Sequence, residues 1–257
     1  MNEIDVLYEI KDRVAFLTLN REQHRNSISP QAIELFFKYL DQAENDSGVR
    51  VVCITGAGDK AFCSGADLSG AMTEGGGQDA FKRYADLLKR IAGFSKPTVA
   101  KINGYCLAGG TGFMLACDIV IAKEEARFGT PEVNVGLFPL MIGALIFRNV
   151  LRKTAMEMIL LGEKLTARKA FEMGMVTRVV PADQLDSEVQ SILDNLVEKS
   201  PIGMKIGKEA FYEVADMPFA EALDTLSARL KDVAATDDAR EGITAFIEKR
   251  KPNFTGK

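Results

Sequence analysis

Short apolar, strand-like segments alternate with helical segments along the first half of the chain, and this alternation constrains the fold most. The strand patterns are Val6–Ile10, Val14–Leu19, Arg50–Thr55, Pro97–Ile102 and Ile119–Ala122. Helical patterns begin at Ser29-Pro30 and cover Gln78–Ile91 and Gly109–Ala116. The first two strands predict a hairpin, and the alternation after them predicts stacked βα units with a mainly parallel sheet.

The pattern changes after about residue 140, where helical segments dominate. The predicted helices are Thr154–Leu161, Thr166–Met173, Gln184–Lys199, Ile202–Val214, Phe219–Ala234 and Asp237–Lys249. One strand pattern, Val176–Val180, interrupts them. We therefore predict an α/β core over residues 1–195 and a helical region over residues 196–257 that packs against a neighbouring subunit.

Charge and hydropathy exclude two classes of partner. The net charge is −4 and the isoelectric point is near 5.3, so we expect no nucleic-acid surface. The sequence has no apolar run long enough for a membrane span, so we expect no membrane partner. The first residues, MNEIDVLYEIKD, are acidic and mixed, unlike a signal or transit peptide. A cytoplasmic protein is expected.

The four cysteines and the single histidine restrict the chemistry further. The cysteines stand alone in apolar segments without a C-x-x-C pair, which favours buried free thiols in a reducing compartment. His24 lies in the polar run REQHRNSIS, where a surface position or the edge of a ligand site is expected. A zinc site lacks ligands, so we expect no metal and a mechanism built from carboxylates and backbone groups.

Three glycine-containing turns could present backbone to a ligand. TGAGDKA, from Thr55, spells G-x-G-x-x-A, but no helix opens on its last small residue, so we interpret it as a turn after a strand. AFCSGADL would leave the N–H of Ala66 unpaired, whereas Asp67 suits an N-cap or turn. LAGGTG would place the N–H of Gly109 at a helix N-terminus, although glycine there also permits close strand–helix packing. Two converging N–H groups would form an oxyanion hole.

Glu132 is the candidate acid/base. In ARFGTPEVNVG it is a lone carboxylate among mostly apolar residues, and burial would raise its pKa and suit it to proton transfer. Pro131 before it also fits the first turn of a helix, which would place Glu132 on the surface. Taken alone, the residues favour the surface interpretation and leave the buried one open.

These segments, in this order, resemble the enoyl-CoA hydratase/isomerase (crotonase) superfamily. The resemblance covers nearly the whole chain, from RVAFLTLNREQHRNSIS through VVCITGAGDKAFCSGADL, PTVAKINGYCLAGGTGFMLACDIVIA, ARFGTPEVNVGLFP and LLGEKLTARKAFEMGMVTRVVP to EGITAFIEKRKPNF. It implies a stack of ββα units with a C-terminal helical trimerisation region, assembled as a homotrimer or homohexamer. The implied ligand is an acyl-CoA thioester, with coenzyme A as part of the substrate and no separate cofactor.

The resemblance also implies site residues. Ala66 and Gly109 match the two N–H donors of the family's oxyanion hole, and Glu132 matches one of its catalytic glutamates. Positions that match the family's CoA contacts, partly through backbone, are Arg25, Ala66, Asp67 and Leu68. Phe246 and Lys249 match C-terminal positions that reach a CoA bound to the adjacent subunit. The acyl pocket is expected to use the Thr73–Asp79 loop, Phe138, Pro139 and Met141.

Gly112 departs from the family pattern, because hydratases of the family carry their second catalytic glutamate at that position. One carboxylate can move a proton between two carbons, whereas hydration divides its work between two, so we expect double-bond isomerisation first. Hydration by Glu132 alone, or with Asn134 holding the water, stays open. The alternatives are a non-catalytic acyl-CoA binder, thioester hydrolysis or decarboxylation. The retained Glu132 and both oxyanion positions favour an enzyme.

Overall fold

The computed structural model describes residues 4–67 and 77–257. Its strands are β1 (Val6–Lys11), β2 (Val14–Leu19), β3 (Val51–Gly56), β4 (Ala61–Cys63), β5 (Thr98–Ile102), β6 (Tyr105–Leu107), β7 (Ile119–Lys123), β8 (Arg127–Gly129), β9 (Leu165–Thr166) and β10 (Arg178–Val180). Its α-helices are α1 (Pro30–Asn45), α2 (Gly77–Ala92), α3 (Gly109–Ala116), α4 (Leu140–Asn149), α5 (Arg152–Leu161), α6 (Ala167–Glu172), α7 (Leu185–Val197), α8 (Pro201–Val214), α9 (Phe219–Ala234) and α10 (Asp237–Ile247). None of these helices combines the length and the apolar character needed to cross a membrane.

Two sheets run along the α/β part of the molecule. The larger one has the order β1-β2-β3-β5-β7-β10 and is parallel except for the β1–β2 hairpin. The smaller one has the order β4-β6-β8-β9, with β9 antiparallel to β8. The predicted hairpin and parallel sheet are confirmed.

Each of three successive units contributes one strand to each sheet. The pairs are β3 with β4, β5 with β6, and β7 with β8, joined by short turns. The segment TGAGDKA is the turn of the first pair, as predicted, and does not open a helix. The resulting ββα repeat is not visible as a sequence repeat, because β4, β6 and β8 have only three residues each.

The faces of the larger sheet are covered by different helices. On one face, the main core includes Phe36 of α1, Leu87 of α2 and Phe113 of α3, all fully buried. On the other face, Val189 and Leu193 of α7 pack with residues of β2, β3, β5 and β7. These apolar faces explain why α1, α2 and α7 formed where the apolar periodicity predicted helices.

The C-terminal helices are much less buried than the core. α8 packs against α9, and α10 contacts both, yet α9 buries none of its residues within one chain. Large apolar side chains of these helices are exposed, among them Phe211, Phe219, Leu230, Phe246 and Ile247. The predicted helices are present within a few residues, whereas α4 was not predicted.

Candidate active site

The turn that carries Ala66 is held by a bridge to Ile28. The Ile28 N–H donates to the Gly65 carbonyl at 2.8 Å, and the Asp67 N–H donates to the Ile28 carbonyl at 2.9 Å. A parallel bridge of this kind uses backbone groups of Gly65 and Asp67, the residues on either side of Ala66. The N–H of Ala66 therefore faces away from Ile28. Within the described part of the chain, no acceptor pairs with that N–H, and Ala66 is exposed.

A second turn lies directly beside it and begins α3. Gly109 is the first residue of this helix, so its N–H belongs to the set that has no partner inside a helix. A Cβ placed on Gly65 would come within 3.3 Å of the Gly109 nitrogen and 2.7 Å of the Ala108 methyl group. The two turns that the sequence singled out are therefore in contact.

The residue before Gly109 has an unusual backbone conformation. Ala108 has φ 50° and ψ −125°, a region that residues with a Cβ seldom adopt. Such conformations cost about 1–3 kcal/mol and persist only where the surroundings enforce them. The Ala108 N–H donates to the Gly129 carbonyl at 2.9 Å, which fixes the turn against β8.

Glu132 lies in the loop that follows β8. It occupies the first turn of a 3-10 helix, Pro131–Val135, so the proline does begin a helix as its position predicted. The side chain is half-buried, not on the surface: its Oε2 is shielded from solvent and has no partner among the described residues. Burial raises the pKa of the Glu132 carboxyl above its usual range.

A second unpaired polar atom lies in the same loop. Thr130 is fully buried, and its Oγ1 has no hydrogen-bond partner within residues 4–67 and 77–257. Buried polar atoms normally have a protein or water partner, so we expect a water or a ligand atom to complete the bonding of each of these two atoms. The Asn134 amide points elsewhere, because it donates to the Gly162 carbonyl at 3.1 Å.

The space beside Gly112 is filled. A Cβ on Gly112 would lie 2.5 Å from Ile142 Cγ2 and 2.6 Å from the Tyr84 hydroxyl oxygen. Tyr84 and Ile142 are both buried. The position where the resemblance implies a lost carboxylate is therefore no empty pocket, and any side chain added there must displace both of these groups.

The remaining predicted residues are distributed over several elements. Arg25 is exposed. The carboxylate of Asp67 pairs with Arg21 Nη2 at 2.7 Å, and this ion pair connects the Ala66 turn to the end of β2. Leu68 and Thr73–Gly76 lie outside the described residues. Phe138 is exposed and Pro139 is buried just before α4.

Phe246 and Lys249 lie on and just after α10, which packs on α8 and α9. The Phe246 side chain is 84% exposed. Within residues 4–67 and 77–257 no cluster of three or more histidine, cysteine, aspartate or glutamate side chains could hold a metal ion.

Sequence reasoning missed Tyr84, Ala108, Ile142 and Arg21. Tyr84 and Ile142 meet α3 only through the tertiary fold, and nothing in their local sequence marks them. Arg21 is the exception, because an arginine at the end of a strand in a polar run could have been considered as a partner for Asp67.

Known proteins are similar to this chain in both sequence and fold. Residues 9–257 match the family described as enoyl-CoA hydratase/isomerase. A putative enoyl-CoA hydratase of Thermus thermophilus is 35% identical, over 95% of this chain and 98% of the relative. A 2,3-dehydroadipyl-CoA hydratase of Escherichia coli is 32% identical, over 98% and 99%.

Solved structures agree with this result. The crystal structure of an enoyl-CoA hydratase from Bacillus anthracis superposes with a TM-score of 0.94 at 32% identity, covering 98% of this chain and all of that one. The predicted crotonase-type α/β fold with C-terminal helices is confirmed. The chain belongs to the enoyl-CoA hydratase/isomerase family of enzymes.

Proposed function

We propose that the protein binds an enoyl-CoA thioester, polarises its carbonyl with the N–H groups of Ala66 and Gly109, and uses Glu132 as the single acid/base. The observation that carries this proposal is the half-buried Glu132 carboxyl, with its unpaired Oε2 and raised pKa. Coenzyme A enters as part of the substrate. The contact between the Gly65 and Gly109 turns supports two donors aimed at one oxygen.

Double-bond isomerisation uses these groups without a second carboxylate. The Glu132 carboxylate removes a proton from C2 of a 3-enoyl thioester, and the negative charge moves onto the thioester oxygen between the two N–H groups. The double bond re-forms between C2 and C3 as the Glu132 carboxyl returns the proton to C4. Proton and charge are balanced, and Glu132 ends in its starting state.

Hydration is the second candidate, and the hydratase names of the relatives favour it. Glu132 would then take a proton from the water as its oxygen adds to C3, and deliver that proton to C2. Incubation with a 3-enoyl-CoA and with crotonyl-CoA separates the two reactions. Isomerisation of the 3-enoyl-CoA raises the absorbance of the conjugated thioester, whereas hydration of crotonyl-CoA lowers it. Free CoA released from either substrate would indicate thioester hydrolysis. No change at all, despite binding, would indicate a non-catalytic acyl-CoA binder.

The oxyanion hole has a direct test in Gly109→Pro, which deletes one N–H donor. Loss of one such donor costs about 10²–10³-fold in turnover. Circular dichroism must show that the variant is folded with the helix content of wild type. Turnover within a few-fold of wild type in folded protein would refute this use of Gly109.

We also propose that the subunits assemble as trimers or pairs of trimers through the C-terminal helices. α9 buries no residue within one chain. Its Phe219 and Leu230 are large, exposed apolar side chains, which protein–protein interfaces commonly bury. Phe246 and Lys249 would then border the CoA of a neighbour, while Arg25, Asp67 and Leu68 hold the CoA of their own subunit. Sedimentation showing a stable, active monomer would exclude this arrangement.

A further inference from the structure

Tyr84 connects α2 to the first turn of α3. Its side chain is 8% exposed, and its hydroxyl donates a hydrogen bond to the Gly109 carbonyl at 2.5 Å. The ring stacks on Phe113, with centroids 5.7 Å apart and an interplanar angle of 20°. Because Phe113 lies one helical turn beyond Gly109, both ends of the Tyr84 side chain are fixed by the same short helix.

The first turn of α3 has glycine where the hydroxyl approaches. A Cβ on Gly112 would be 2.6 Å from the Tyr84 oxygen, and a Cβ on Gly109 would be 3.2 Å from it. Any larger residue at 112 would therefore push the hydroxyl away from the Gly109 carbonyl. The glycine at 112 thus permits this hydrogen bond as well as leaving the position without a carboxylate.

The hydrogen bond acts on a strained part of the backbone. Ala108, just before Gly109, has a positive φ, and helix starts that carry strain relax unless their surroundings hold them. From one side, the Ala108 methyl group lies against Gly65. From the other side, Tyr84 holds the Gly109 carbonyl, so the torsions that direct the Gly109 N–H are fixed on both flanks.

Tyr84 can keep this role over the whole working range of pH. Burial, followed by the neighbouring Cys63, Cys106 and Glu132, raises the pKa of Tyr84 well above its usual value. The hydroxyl is therefore a donor and not an acid/base, which separates its role from that of Glu132.

We propose that Tyr84 is a positioning residue of the oxyanion hole, which keeps the Gly109 N–H directed at the thioester oxygen by holding the Gly109 carbonyl. This inference rests on the function proposed above, because it assigns Gly109 the role of a donor. It adds a residue outside the two oxyanion positions and outside the acid/base.

The test compares wild type with Tyr84→Phe, which keeps the ring and removes the hydroxyl. The probe is butyryl-CoA carrying ¹³C at its carbonyl, a saturated thioester without the double bond that the proposed reactions require, whose carbonyl stretch shifts to lower frequency when the oxygen is polarised. We expect a downshift on binding to wild type and a clearly smaller one with Tyr84→Phe. Turnover should fall about tenfold, because a small displacement of a catalytic group slows the reaction. KM should change less than about twofold.

Two control variants separate positioning from packing. Tyr8→Phe removes a buried hydroxyl on β1 that has no partner among the described residues, and should leave the downshift intact. Leu87→Ala loosens the packing of the helix that carries Tyr84, but keeps its hydroxyl. It should lower thermal stability more than Tyr84→Phe while retaining more of the downshift.

Each outcome bears on a different statement. A full downshift in folded Tyr84→Phe, or an equal loss in Leu87→Ala, would overturn the role of Tyr84 and leave the oxyanion hole standing. A wild-type protein that binds the probe without any downshift would overturn the oxyanion hole and the role of Tyr84 together.

Discussion

The loop around Glu132 and the turn around Gly112 present different groups, a carboxyl in the first and only backbone in the second. The Glu132 loop keeps a carboxyl whose Oε2 is unpaired and whose pKa is raised by burial. The Gly112 turn has no side chain, and the space beside it is taken by an aliphatic group of Ile142 and by the Tyr84 hydroxyl. The Tyr84 hydroxyl cannot act as a base in place of a carboxylate. Burial raises its pKa well above the usual value, so the hydroxyl stays protonated.

The difference shows that a position where the resemblance implies a lost carboxylate need not leave a cavity. The neighbouring helices α2 and α4 supply Tyr84 and Ile142, which close the space that a longer residue at 112 would need. A second acid/base and its water would have to displace these two side chains. Chemistry that moves one proton with one carboxyl is the reaction that this arrangement favours.

The largest expected effect comes from removing the proposed acid/base, the Glu132 carboxyl. Glu132→Gln should lower turnover by about 10²-fold or more and leave binding of the CoA thioester nearly intact, because a positioned acid/base contributes about 10²–10⁴-fold. Steady-state rates and calorimetric binding of butyryl-CoA measure the two quantities. Activity retained within a few-fold would show that a different group transfers the proton. The comparison between the Glu132 loop and the Gly112 turn would then not explain the reaction.

The next effect comes from restoring a carboxyl at 112. Gly112→Glu alone should unfold or destabilise the protein, since its Cβ would meet Ile142 and Tyr84. Combined with Ile142→Ala and Tyr84→Phe, it should raise the ratio of hydration to isomerisation about tenfold, since one well-placed acid/base is worth that or more. The ratio is measured on folded protein with crotonyl-CoA and a 3-enoyl-CoA.

The matched control is Gly112→Gln in the same background, which has the same shape without the charge. If the glutamine and glutamate variants give equal ratios, the missing carboxylate does not limit hydration. Wild type that already hydrates crotonyl-CoA efficiently would show that Glu132 manages hydration alone.

A smaller effect should appear in a double-mutant cycle of Gly112→Ala and Tyr84→Phe. The added methyl group collides with the Tyr84 hydroxyl, so Gly112→Ala should destabilise the protein less when that hydroxyl is absent. Coupling between residues in contact is about 0.5–3 kcal/mol. The contact with Ile142 is present in both backgrounds and cancels, so additive free energies of unfolding would mean that the hydroxyl does not occupy this space.

The smallest effect concerns stability and pH. The folded-state pKa of Glu132 is raised because burial disfavours the ionised carboxyl. The contribution of Glu132 to the free energy of unfolding is therefore greatest at low pH, and it is lost as pH rises through the folded-state pKa. Glu132→Gln, which carries no charge, should therefore have a higher melting temperature than wild type at neutral pH, and the difference should shrink in acid. A difference that grows in acid would mean that the Glu132 carboxylate is stabilised by its surroundings.

The sequence predicted the parts of this fold that rest on local patterns. The strands of the larger sheet and most helices follow from apolar periodicity, and Ser29-Pro30 begins α1 as its capping residues indicate, with the Ser29 hydroxyl accepting from the Ala32 N–H. The smaller sheet escaped prediction because β4, β6 and β8 are too short to show an alternation. α4 escaped because it follows a proline-containing loop without a capping side chain.

The candidate site divides in the same way. The Ala66 and Gly109 turns and Glu132 could be singled out, because glycine and an isolated carboxylate stand out in apolar sequence. The half-burial of Glu132 could not be predicted from the chain, since Pro131 fits a surface helix equally well. The partners of Gly112 could not be predicted either, because Tyr84 and Ile142 come from segments 28 and 30 residues away in sequence.

The backbone of Ala108 implies a trade-off between robustness and activity that protein engineering can exploit. Ala108→Gly would suit the positive φ and remove steric strain, yet it would also delete the methyl group that lies against Gly65 and free the chain just before Gly109. A screen for thermostability would therefore have reason to accept glycine at 108, whereas a screen for turnover would have reason to reject it.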